Sequence, residues 1–200
     1  MKKLFLSTLC SLCMLFIISC NKDNQTSEIS QTSQPVNKAI MALKTSEARK
    51  SSFADQLTNE EKIQFVESRL NAVTEELKLD AEQLSVLNEL KPFLKPDLYV
   101  RDSKLNKEAI QFDSVWKEKA RKVFSKEQLN YIFSFNTLSE LKTNLTNVNI
   151  KSTTRAGAED CDCSTKSDWC SGGNCGGPAC AFQSYACGTL YLYHCDGTCR

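Results

Sequence analysis

Residues 161–199 read CDCSTKSDWCSGGNCGGPACAFQSYACGTLYLYHCDGTC, and this stretch decides how the chain is organised. Cys161, Cys163, Cys170, Cys175, Cys180, Cys187, Cys195 and Cys199 place eight of the eleven cysteines in the last forty residues. The other three, Cys10, Cys13 and Cys20, lie in the first twenty, and residues 21–160 contain none. Thiol distribution alone divides the chain into a leader, a thiol-free middle and a cysteine-dense tail. A segment of about forty residues cannot bury enough apolar surface to offset the entropy of ordering it, so covalent or metal staples are expected. Eight cysteines supply four disulfides, each contributing about 2–4 kcal/mol. They allow about a hundred pairings, and the sequence does not choose among them. In an extended Cys161-Asp162-Cys163 the two sulfurs share a face without being able to pair comfortably with each other, so they are expected to take different partners.

Successive tail cysteines are separated by 2, 7, 5, 5, 7, 8 and 4 positions, with no C-x-x-C pair. Structural zinc sites use such pairs, so the spacing favours disulfides over a metal, with His194 read as an ordinary side chain. No cofactor is implied.

The start of the chain supports an oxidising destination. Lys2 and Lys3 precede an apolar run from Leu4 to Ile18, which is too short to span a bilayer comfortably and has the form of an export signal. It ends Ile17-Ile18-Ser19-Cys20, which resembles the lipobox of bacterial lipoproteins, with a small residue before the cysteine that is cleaved and lipidated. Cys10 and Cys13 follow leucines and do not fit. Residues 1–19 are therefore read as a lipoprotein signal peptide and Cys20 as the lipidation site. More than one acyl chain on Cys20 would hold the protein stably in a membrane. Asn21 is similar to the residue found there in outer-membrane lipoproteins, and Lys22-Asp23 to the short charged tracts of surface-exposed ones. Outer-membrane attachment, with possible exposure at the cell surface, is the expected localisation, and export fits the disulfides.

Residues 20–35 are rich in Ser, Thr, Asn and Gln and read as a flexible tether. Pro35 then opens a helical stripe of Val36, Ala39, Ile40 and Leu43. Three later segments carry a capping box: Thr58 with Glu61, Asp80 with Gln83, and Ser125 with Gln128. Asp102 offers a weaker start, so starts recur at 58, 80, 102 and 125 and predict helices of about 17–18 residues joined by short turns. Apolar stripes follow: Ile63, Val66, Leu70, Val73 and Leu77; Leu84, Leu87 and Leu90, broken by Pro92 and Pro96; Leu105, Ala109, Phe112, Trp116, Ala120 and Val123; then Leu129, Ile132, Phe133 and Leu141. Residues 36–142 are thus expected to form an α-helical hairpin or bundle domain. Glu60, Glu61, Glu67, Glu75 and Glu76 alternate with Lys62, Arg69 and Lys78 and read as solvated helix faces.

Residues 20–160 carry 21 Lys plus Arg and 21 Asp plus Glu. With no net charge and no basic run, nucleic-acid binding is disfavoured. Residues 143–160 turn to Thr, Asn, Ser and Gly and read as a linker, with Arg155 open to proteolysis. In the tail, residues 161–200, Thr189 to Tyr193 is the best strand and Asp196-Gly197 a turn able to close a small β-hairpin. Trp169, Phe182, Tyr185, Tyr191 and Tyr193 are candidates for a binding surface, or for covering the disulfides.

Cys161-Asp162-Cys163-Ser164-Thr165-Lys166-Ser167-Asp168-Trp169-Cys170, then Ala179-Cys180-Ala181-Phe182 and Cys187-Gly188-Thr189 before an aromatic–aliphatic run, resembles the bacteriocin fulvocin C-related proteins. The likeness covers about residues 158–199, and the spacing of the last two cysteines departs from that pattern. It implies a disulfide-stabilised antibacterial tail. The tail has Lys166 and Arg200 against Asp162, Asp168 and Asp196, so it lacks the basic cluster that draws peptides to anionic membranes. Aromatic contact with an envelope receptor or protein partner is the expected mode of action. The alternative is an envelope lipoprotein whose tail binds a partner without toxicity. One histidine, no nucleophile motif and oxidised cysteines argue against an enzyme.

Overall fold

A computed structural model describes residues 33–140, 142, 159–171, 173–177, 180–181 and 185–199. The signal peptide, Cys20, most of the tether, Leu141, nearly all of the linker and Phe182 lie outside the described residues. The fold is mainly α-helical, followed by short strands stapled by disulfides. The elements are α1 (Ser33–Met41), α2 (Ser46–Gln56), α3 (Asn59–Leu77), α4 (Ala81–Asn88), α5 (Lys104–Val123) and α6 (Lys126–Phe133). The strands are β1 (Glu159–Asp160), β2 (Cys175–Gly176), β3 (Cys180–Ala181), β4 (Tyr185–Cys187), β5 (Tyr193–His194) and β6 (Thr198–Cys199). Among the described residues, no helix is long and apolar enough to cross a membrane.

All three capping boxes form as the sequence predicts. Thr58, Asp80 and Ser125 accept from the third backbone N–H of α3, α4 and α6, and Glu61, Gln83 and Gln128 return to the cap. The regular spacing of starts nevertheless conceals unequal helices of 19, 8, 20 and 8 residues for α3 to α6. Pro92 and Pro96 turn the chain after α4 into two 3-10 turns, Lys91–Phe93 and Pro96–Tyr99. The fourth start is shifted by one: Ser103 caps α5 through Asn106, while Asp102 precedes it with φ 63°. Helix α2, capped by Thr45, has too weak an apolar stripe to have been singled out, yet its Phe53 is completely buried.

The interior collects Ile63, Val66, Leu70 and Val73 of α3, Leu87 and Leu90 after the α4 start, Trp116 and Ala120 of α5, and Leu129, Ile132 and Phe133 of α6. Two arginines are sunk into it. Arg69, expected on a solvated face, is 3% exposed. It stacks 4.3 Å from the Tyr131 ring and donates to the carbonyls of Tyr131 (2.7 Å) and Asn136 (3.0 Å). Arg49 donates to Leu43 O (2.9 Å), Phe135 O (2.7 Å) and both carboxylate oxygens of Glu140. A planar five-donor head suits this task, since several carbonyls must be met at once. Both arginines grip residues 131–140, the stretch that leads toward the tail.

The tail departs most from expectation. Among the described residues it has no separate core: Cys161, Trp169, Ala186, Cys187, Leu190, Tyr191, Leu192, Tyr193 and Cys195 join the same apolar cluster as the helices. Forty residues isolated from the rest would need their staples alone, but these also have a helical surface to pack on. The antiparallel hairpin is β4 with β5, not one closed by Asp196-Gly197; β6 instead pairs with β2, and β1 runs parallel to β3. Thr189–Tyr191 is a 3-10 turn rather than a strand, with left-handed φ at Leu190 (53°) and Tyr191 (58°). Strict alternation would have put leucine and tyrosine on opposite faces. The left-handed kink lets both side chains be buried.

Replacing Arg49 by Met should lower unfolding free energy by about 2–4 kcal/mol, because it strands one buried carbonyl, one partly buried carbonyl and a partly buried carboxylate. Urea denaturation measures this, and an unchanged midpoint would contradict the clamp.

Candidate functional site

The tail is shaped internally by four disulfides: Cys161–Cys180, Cys163–Cys175, Cys170–Cys199 and Cys187–Cys195. Cys161 and Cys163 take different partners, as their shared face requires. The string between Cys163 and Cys170 acts as a hydrogen-bonding frame. Asp168 accepts from the backbone N–H groups of Cys170 (2.8 Å) and Cys175 (2.9 Å). Thr165 donates its N–H (2.6 Å) and its hydroxyl (2.8 Å) to Asp196. Trp169 Nε1 and the Ser167 hydroxyl meet at the Thr189 hydroxyl, at 3.0 and 3.2 Å. Asp162 accepts from Cys199 N–H at 2.9 Å, so all three tail carboxylates fix backbone. Gly188 has φ 72°, and a Cβ there would come within 2.5 Å of Ser167 Cβ. Only glycine fits that turn.

Three of the five aromatic residues expected on a binding surface are buried. Tyr191 is 2% exposed, and Trp169 and Tyr193 are 7% exposed each. The side chains of Phe182 and Tyr185 lie outside the described residues. Tyr191 enters a ring cluster at 4.7 Å from Phe135, 5.1 Å from Phe53 and 5.9 Å from Phe65. Trp169 lies 5.4 Å from Phe133 and 6.0 Å from Trp116, with the Arg121 guanidinium 5.6 Å from its own ring. Tyr193 donates its hydroxyl to Asp113 Oδ2 at 2.7 Å. The helical surface offers these rings apolar sockets that water does not.

Polar residues of the helices complete the contact, and sequence reasoning missed them. Lys50 Nζ donates to Cys161 O (2.7 Å), Tyr99 OH to Leu190 O (2.9 Å), Lys117 Nζ to Lys166 O (2.7 Å), and Asn130 Nδ2 to Trp169 O (2.9 Å). Asp113 is buried with Lys117 Nζ 3.6 Å from its carboxylate. One signal was readable: Asp113 stands four residues after Ala109 and three before Trp116, a charge set on an apolar stripe. Lys50 had no such mark. A cavity of about 260 Å³ persists between the two parts, with Lys50, Asn130, Asp162, Ser167 and Trp169 in its wall.

The sulfurs of Cys163, Cys170 and Cys175 lie within 4.8 Å of one another, as do ligand atoms of Asp162, Cys163 and Cys199. Every cysteine among them is oxidised, and a disulfide sulfur is neither a nucleophile nor the thiolate a metal would take.

Burial pushes the Tyr191 hydroxyl up to about 12 and raises that of Tyr99 well above its usual range; Tyr193 is raised first by burial and then by the Asp113 charge. Each keeps its proton longer folded than unfolded, so its contribution is complete below the unfolded value near 10 and is lost as pH rises above it. Absorbance titration at about 295 nm, a wavelength that reports phenolate, should show these tyrosines ionising together with loss of the helical signal. Ionisation of all five tyrosines near pH 10 in a still-native fold would contradict their burial. In comparisons with known proteins, the chain matches no family model, no curated protein and no solved structure.

Proposed function

We propose that the chain is an exported, lipid-anchored protein of the bacteriocin fulvocin C-related kind, whose disulfide-stapled tail acts against neighbouring bacteria by contact or after release. The observation that carries this reading is the closure of all eight tail cysteines into four bonds within residues 161–199. Such a density of bonds belongs to oxidising compartments, which agrees with the export signal and with attachment through Cys20. The form described is then a latent one, because Trp169, Tyr191 and Tyr193, three of the aromatic side chains suited to an envelope receptor or protein partner, are turned into the helices.

The shared apolar core favours a second reading, in which the tail is a permanent part of a non-toxic envelope lipoprotein that binds a partner. Tethering by acyl chains also suits that role.

Competition between the producing strain and its neighbours separates the two. Removing residues 161–200 should abolish the neighbours' loss of viability, with the lipoprotein still made. Equal survival beside intact and truncated producers contradicts antibacterial action and leaves the binding role. Anchoring has its own test: Cys20→Ala should move the protein out of the membrane fraction and end labelling by palmitate, and unchanged fractionation would contradict lipidation.

A further inference from the structure

We propose that the helical part is a binding partner specific for the oxidised tail, able to hold it without a covalent connection and to take the tail of another copy. The proposal goes beyond the antibacterial reading and does not depend on it.

No cysteine occurs in residues 21–160, and the four disulfides all lie inside the tail. Apart from the connecting chain, contact between the two parts is therefore noncovalent. That contact has the anatomy of a strong interface. Two aromatic anchors, Tyr191 and Trp169, sit in separate sockets more than nine-tenths buried, and buried aromatic anchors dominate binding energy in known complexes. A buried phenol–carboxylate bond, Tyr193 to Asp113, lies between the same two parts.

The polar contacts show what is recognised. Lys50, Tyr99, Lys117 and Asn130 all donate from helical side chains to tail backbone carbonyls. Such donors read the path of the tail backbone rather than its side chains. The acceptors stand at Cys161, Lys166, Trp169 and Leu190, spread through the disulfide frame. Cross-links that fix this path before contact remove most of the ordering cost of binding. Reduced, the tail would have to order its backbone at the expense of affinity. The helices thus favour the correctly oxidised tail over a reduced or mispaired one.

The test severs the intact protein in place, with a protease recognition sequence inserted within residues 143–158. Gel filtration and native mass spectrometry at about 1 µM, a concentration that resolves sub-micromolar affinity, should find both fragments in one complex. Mixing with isotopically labelled, likewise severed protein should yield exchanged pairs. A dithiol reductant, which passes two electrons and two protons to each tail disulfide and is itself oxidised to a disulfide, should separate the fragments. Tyr99→Phe and Asn130→Leu keep the sockets filled while removing one carbonyl donor each. Together they should speed dissociation by roughly 10-fold or more, the scale of two lost interface hydrogen bonds. Separate elution of the oxidised fragments overturns the proposal, whether or not the helical part remains folded. Equal retention of oxidised and reduced tails overturns the claim of specificity. Neither result bears on killing, so failure here is distinguishable from failure of the antibacterial reading.

Discussion

The ring of Tyr191, set among Phe53, Phe65 and Phe135, is the contact on which the arrangement of the molecule depends. To deliver that ring, the backbone adopts left-handed φ at two consecutive non-glycine residues, Leu190 and Tyr191. Each such residue costs about 1–2 kcal/mol. Full burial of an aromatic side chain, with ring contacts to three neighbours, is of the size needed to offset that cost. On the helical side, the ring of Tyr191 packs against those of Phe53 and Phe65.

Two kinds of order are therefore superimposed in the tail. Disulfides, aspartate caps and Gly188 decide its internal path. The helical surface decides where that path lies and which side chains it conceals. Arg49 and Arg69 connect the two levels by holding residues 131–140, whose Phe133 and Phe135 line the sockets for Trp169 and Tyr191. Glu140 closes this clamp. Burial opposes its ionisation, but hydrogen bonds from Arg49 and Thr137 outweigh the penalty and hold its carboxyl below the usual glutamate range.

Local chemistry was legible in the sequence wherever one or two neighbouring residues determine the outcome. Thr58, Asp80 and Ser125 cap helices because a hydroxyl or carboxylate three residues from a Glu or Gln closes a box regardless of tertiary context. Stripes such as Ile63 to Val73 point inward for the same reason. What stayed hidden is what distant residues decide together. Nothing within α2 distinguishes a buried Lys50 from a solvated one, because its partner, the Cys161 carbonyl, lies 111 positions away. Likewise Thr189 to Tyr193 alternates as a strand would, and only the helical sockets reward the kink that replaces it. For the tail rings the sequence offers a binding surface or cover over the disulfides, because a small module has no interior of its own. The interior that takes them belongs to the helices.

The most direct measurement is a nuclear Overhauser spectrum of the oxidised, full-length protein in solution. Cross-peaks between the Tyr191 ring protons and those of Phe53 and Phe135, together with others between Trp169 and Phe133, are the predicted result. A tail whose aromatic protons show cross-peaks only within residues 161–199 would contradict the account.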